Sequence, residues 1–178
     1  ALLNLIIEKE SALELKYSEF RAIYKGEPIN DNKVEEVLQK STDNRDLEEV
    51  WKAHKVIGAE VAEDVLEIVR LRNKVANELG FDNYHTMSLK LSGQNPDEIS
   101  ALFDELDQMT KDGFVALKNE MDEKFSMRYR LSKEELMPWH YQNRFFQEAP
   151  NLYPVELDKY YKDKSLEALT VLFYQSLG

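Results

Sequence analysis

Between positions 47 and 79, Leu47, Val50, Trp51, His54, Gly58, Val61, Val65, Ile68, Arg72, Val75 and Leu79 recur at steps of three and four. That is the period of an α-helix. The run holds one glycine and no proline, and at 3.6 residues per turn it lasts about nine turns. No strand has that length, so whatever this chain folds into must be built around a long helix. A second stripe through Ala62, Leu66, Val69 and Ala76 widens the apolar arc, which predicts a central helix with neighbours on two sides. Gly80 supplies the stop.

Other runs follow the same logic. Leu2, Ile6, Leu13, Tyr17, Phe20 and Tyr24 keep a helical phase until Gly26 and Pro28. Asn30 or Asp31 can cap a short helix carrying Val34, Val37 and Leu38, closing at Ser41, Thr42, Asp43 and Asn44. Residues 82–91 read as a short helix with Tyr84, Met87, Leu89 and Leu91 packing. Asn95-Pro96-Asp97-Glu98 is a strong helix start, because Pro96 presets φ and Asn95 and Glu98 can cap. Ile99, Leu102, Phe103, Leu106, Met109, Phe114, Leu117, Met121 and Phe125 then continue as a core-facing row, with Gly113 tolerated. Ser132-Lys133-Glu134-Glu135 forms a capping box and Pro138 breaks the helix; residues 143–147 read as another turn or two. Pro150 and Pro154 enforce an extended connection, and 165–177 is a last helix. The fold class is therefore all-α, with long antiparallel helices, and residues 1–178 read as one helical domain or fragment.

Composition narrows the function. Six glycines and five prolines in 178 residues are too few for a turn-dense β-sandwich or barrel. With 34 acidic against 23 basic side chains the formal charge is −11, which argues against binding a nucleic-acid backbone. The absence of cysteine removes disulfides, thiolate zinc sites, iron–sulfur clusters and thiol catalysis, and a reducing compartment fits. The longest nearly apolar stretch, 1–7, is interrupted by Asn4 and falls far short of the roughly 20 residues that cross a bilayer. No signal or membrane segment is read there. The chain starts at Ala1 within an amphipathic run, so a piece of a longer protein is expected.

The candidate chemistry is sparse. His54, His85 and His140 are far apart and none begins a His-Glu-x-x-His pattern, so no metal site is read in this chain. His54, in the apolar stripe, reads as a hydrogen-bonded core histidine and His85 as a surface residue. Asp104, Glu105 and Asp107 read as a solvated helix face, since acid–base work needs a pair within one cleft. No residue is assigned as catalytic. The stretch 138–150 concentrates rings, neutral amides and one arginine between prolines. On residues alone, a helix corner stapled by aromatics is favoured over a lining where amides meet a carboxylate or peptide backbone.

The order of these signals resembles the zinc dipeptidyl carboxypeptidases of the angiotensin-converting-enzyme family, with oligoendopeptidase-like and thimet-like relatives as close alternatives. The resemblance rests on 51–58 (Trp51, His54, Gly58), 71–81 (Arg72, Asn73, Glu78, Leu79, Gly80), Asn83-Tyr84, 103–107 and 138–150, and covers roughly residues 40 to 178. It implies a helical ellipsoid split by a deep cleft, with zinc held by His-Glu-x-x-His and a later glutamate. Residue 178 falls before that zinc helix, so the resemblance implies an N-terminal part that binds no zinc itself and is inert alone. It also implies that Gln147, following Pro138, His140, Asn143 and Phe145, donates its amide to the C-terminal carboxylate of a peptide substrate. Partners implied are that peptide and the remainder of the peptidase, with dimerisation of the fragment through an exposed apolar face, and a cytoplasmic location. A self-contained helical scaffold or partner-binding domain is the alternative.

Overall fold

A computed structural model describes residues 2–150, 152–153 and 158–178 of the chain. Among them the elements run α1 (Leu2–Glu19), β1 (Ala22–Tyr24), β2 (Glu27–Ile29), α2 (Asp31–Lys40), α3 (Asn44–Glu78), α4 (Tyr84–Leu91), α5 (Pro96–Tyr129), two 3-10 turns (Lys133–Glu135 and Pro138–Tyr141), α6 (Asp158–Tyr161) and α7 (Leu166–Ser176). The chain is predominantly helical, as its periodicity predicts. The starts are set by side-chain oxygens that accept otherwise orphaned backbone N–H groups. Asn30 Oδ1 takes Lys33 N at 2.9 Å, Asp43 Oδ1 takes Arg45 N at 2.8 Å, Asn83 Oδ1 takes Thr86 N at 2.8 Å, and Asn95 Oδ1 takes Asp97 N at 2.9 Å. Glu135 accepts from Ser132 N at 2.9 Å, but the element it caps is a three-residue 3-10 turn.

Two helices of 35 and 34 residues dominate, each about 50 Å long at 1.5 Å per residue. They run in opposite directions: α3 leads through α4 into α5, and the end of α5 returns to the start of α3, where Asn44 Nδ2 donates to the Tyr129 carbonyl. At that shared end lies the core. Val34 and Leu38 of α2, Leu47 and Val50 of α3, Ala22 of β1, and Met121, Phe125 and Tyr129 of α5 form one buried cluster. Helix α3 is central, touching α1, β1, α2 and α4. Helix α1 lies antiparallel on its far half, held by Lys9–Glu67 at 2.8 Å, Arg72–Glu10 at 2.6 Å and Lys16–Asp64 at 2.9 Å. Such half-exposed pairs contribute little singly, about 0–1 kcal/mol each.

The structure departs from the sequence reading in four places. First, α1 does not run on to Tyr24: β1 and β2 pair antiparallel, Ala22 with Ile29, Ile23 with Pro28 and Tyr24 with Glu27. The two loop residues, Lys25 and Gly26, have φ of 52° and 83°, as a tight primed hairpin turn requires. Tertiary contact decides the matter, because Ala22 is buried against the core and Lys25 N donates to Glu49 Oε1 of α3.

Second, residues 143–147 are not helical. Asn143 Oδ1 accepts from both Phe145 N (2.9 Å) and Gln147 N (3.1 Å), while Gln142 and Phe146 sit at φ 65° and 56°. The asparagine side chain thus replaces the backbone acceptor that a helix would use. Third, Asp158–Tyr161 is a short helix with no counterpart in the sequence periodicity; the extended connection expected at Pro154 lies outside the described residues.

Fourth, the row from 99 to 117 on α5 is not core. Phe103, Met109 and Phe114 are 65%, 73% and 60% exposed, and only Met121, Phe125 and Tyr129 of that helix are buried. On α3, Leu66 and Val69 of the second stripe are likewise open, as is most of α7. Periodicity defines an apolar stripe; it does not supply the element that covers it.

Gly113 lies in this open part of α5, and a Cβ built there meets nothing within 4 Å. Gly113→Ala should therefore stabilise the protein by up to about 1 kcal/mol, the helix-propensity difference between the two residues. Urea denaturation at pH 7 reads the effect, and a loss of stability would show that the site is sterically occupied.

Candidate functional site: the trough beside residues 138–150

Pro138 starts a 3-10 turn that drives His140 into the core. Met137 N donates to His140 Nδ1 at 2.8 Å, which places the ring proton on Nε2. The ring packs 4.9 Å from that of Tyr129, and Trp139 lies 5.9 Å from Trp51 of α3. Burial lowers the His140 pKa. The aromatic corner read from the sequence is therefore present.

Arg144 locks the next segment onto the body. Its Nε reaches Glu35 Oε1 at 2.5 Å, its Nη1 reaches Asp31 Oδ2 at 2.8 Å and His54 Nε2 at 3.1 Å, and its carbonyl accepts from Lys55 Nζ at 2.7 Å. Since guanidinium only donates, His54 Nε2 accepts and the imidazole is neutral. Burial first, and then the guanidinium, push the His54 pKa down to about 4. His54 is thus the buried core histidine that its helical phase predicts, while His85 is exposed. Asp104, Glu105 and Asp107 are exposed.

With this segment anchored, a trough of about 470 Å³ opens between it and α5. Phe114, Leu117, Met121, Pro138 and Phe146 make it mainly apolar. Four polar side chains border it: Lys118, Tyr141, Gln147 and Glu148. Gln147, the residue singled out from sequence, lines the trough, and its side-chain amide makes no hydrogen bond among the described residues. Lys118 also lines it, with Nζ 2.6 Å from Asp122 Oδ1 and 2.8 Å from the Tyr141 hydroxyl, which in turn donates to Asp122 at 2.6 Å. Burial alone would lower the Lys118 pKa, but the bonds to Asp122 and Tyr141 outweigh it and raise the pKa. Lys118 is a fixed cation. Residues 148–150 separate this trough from a more polar cavity of about 610 Å³ lined by Gln39, Lys40, Arg128, Gln142, Asn143 and Tyr153, among others.

An apolar floor with one amide unbonded among the described residues and one anchored ammonium suits an extended, largely apolar chain bearing an acceptor group such as a carboxylate, held clear of the Glu148 carboxylate on the same rim. Among the described residues no group of three or more histidines and carboxylates could hold a metal ion, and no helix is long and apolar enough to cross a membrane. Sequence reasoning missed Lys118, Asp122 and Tyr141. The i,i+4 spacing of Lys118 and Asp122 was visible, but Tyr141 joins them only through the fold. The Arg144 cluster was equally hidden, since Glu35 is 109 residues away. In comparisons with family models, curated proteins and solved structures, the chain matches none of them.

Proposed function

We propose that the chain is the N-terminal helical part of a zinc peptidase that releases dipeptides from peptide C-termini, forming one wall of a substrate cleft. The observation that carries this reading is the position of Gln147: its amide, which makes no hydrogen bond among the described residues, lines the same mainly apolar trough as Lys118, in the segment that resembles the carboxylate-recognising part of those enzymes. In this reading a peptide lays apolar side chains along Leu117, Met121 and Phe146 while its terminal carboxylate accepts from Gln147. In this reading zinc and the general base belong to a His-Glu-x-x-His helix outside residues 1–178, a motif this sequence does not contain. This part alone is therefore expected to be inert, and no bond-breaking step is assigned to its residues. A cytoplasmic location belongs to the same reading, and the absence of cysteine is compatible with it.

The test uses the protein translated from the whole open reading frame. Chelator-sensitive, zinc-restored release of dipeptides is expected, and Gln147→Ala should reduce kcat/KM for free-acid peptides by about tenfold, the worth of one hydrogen bond to a charged group. Amidated peptides should lose much less. Equal loss on both substrates removes the carboxylate contact, and a reading frame without a zinc-binding motif removes the peptidase. The second reading, a helical partner-binding domain, is favoured by a separate observation: the open apolar rows of α5 and α7.

A further inference from the structure

The exposed part of α5 carries a more specific pattern than apolar exposure. In heptad terms, Ile99, Leu102, Leu106 and Met109 take the two seam positions, followed by Gly113 and Ala116, while Phe103 and Leu117 widen the face on one side. Along the other edge Glu98, Glu105 and Asp112 recur every seven residues. These are the flanking positions that select a partner in helix-to-helix packing. From 97 to 112 there are six carboxylates and one cation, Lys111. Ion pairs on α5 begin only at Lys118, so Glu105 and Asp112 have no partner among the described residues. Phe103, Met109 and Phe114 are mostly open. With about 150–250 Å² on each aromatic side chain, the row offers several hundred Å². One side of a standard interface buries about 800 Å².

We propose that the 99–117 face of α5 docks an amphipathic helix of a protein partner whose apolar stripe is edged by lysine or arginine. Charge decides between occupants. A second copy laid antiparallel would set Glu98, Glu105 and Asp112 against themselves, and an anionic lipid surface would meet the same row of carboxylates. A basic helix neutralises the row while filling the shallow seam at Gly113 and Ala116. The inference goes beyond the peptidase reading and stands without it, since none of these residues except Phe114 and Leu117 touches the trough.

The test measures fluorescence anisotropy of a labelled synthetic helix with leucine at both seam positions and lysine at both flanks, against a twin with glutamate flanks. The lysine helix should bind the intact chain at least about tenfold more tightly than its twin, with the gap closing as salt rises. Glu105→Lys with Asp112→Lys should reverse the preference, and Leu106→Glu should abolish binding of both. All three positions are exposed, so circular dichroism should be unchanged; if Leu106→Glu unfolds, the charge-reversed double variant carries the test alone. Equal affinity for the two helices, no binding of either, or a preference unmoved by charge reversal overturns the proposal. So does a dimer in sedimentation that Leu106→Glu dissociates, or tighter binding to phosphatidylserine vesicles than to the lysine helix.

Discussion

Arg144→Ala should lower the unfolding free energy by about 3 kcal/mol, the usual cost of removing one member of a largely desolvated ion pair. The guanidinium is the only cation in contact with the Glu35 carboxylate among the described residues, and Glu35 Oε2 is already buried without a hydrogen bond. Removing the arginine leaves that charge inside, strips the acceptor bond from His54 and frees the carboxylate of Asp31. It also frees residues 143–150, because Arg144 is their main tie to α2 and α3. Urea denaturation at pH 7 should therefore report a large drop, and limited proteolysis should cut near residue 147. A drop under about 1 kcal/mol would show that the cluster is solvated in solution and behaves like a surface pair.

The second large effect is a pH dependence. The His54 pKa falls from 6.5 to about 4 on folding, chiefly by burial and then by Arg144, with Lys55 acting the same way and Asp31 opposing. Protonation therefore favours the unfolded chain, which binds more protons than the native one between those two values. The contribution is fully present above pH 6.5 and declines as pH falls toward 4, by about 3 kcal/mol in total at 1.36 kcal/mol per pKa unit. His140, shifted in the same direction by burial, adds to the slope. Between pH 5 and 6.5 most carboxylates stay ionised, so the histidines dominate that window. Stability curves measured there should be clearly shallower for His54→Leu than for the parent chain. Identical slopes would place His54 in contact with water.

Both effects arise where residues distant in sequence converge, and that marks the limit of what the chain alone could disclose. Long helices were legible because a 3.6-residue hydrophobic period and an Asn or Ser oxygen at the start are local properties: α2, α5 and the final helix begin where Asn30, Asn95 and Ser165 predict, while Asp43 and Asn83, which cap α3 and α4, were not singled out as starts. The burial of His54 was legible for the same reason, being a matter of helical phase. The hairpin at 22–29 was hidden behind a helical spacing of Phe20 and Tyr24, and only Ala22 seated on the core settled it. Gln147 was named only through the family resemblance, and the trough it borders and the Lys118–Asp122–Tyr141 group exist only once 138–150 folds back on α5.

Local sequence thus determined the helices, their caps, the acidic balance and the absence of thiol chemistry, because each depends on residues within a few positions of one another. Which apolar stripe is covered was decided by the tertiary structure alone. The row on α5 has the same period at both ends, yet Phe125 is buried in the core cluster with its ring 5.6 Å from that of Tyr141, while Phe103 faces water. Burial depends on what arrives from elsewhere in the chain, and among the described residues too little reaches positions 100–117 of α5 to bury any of them.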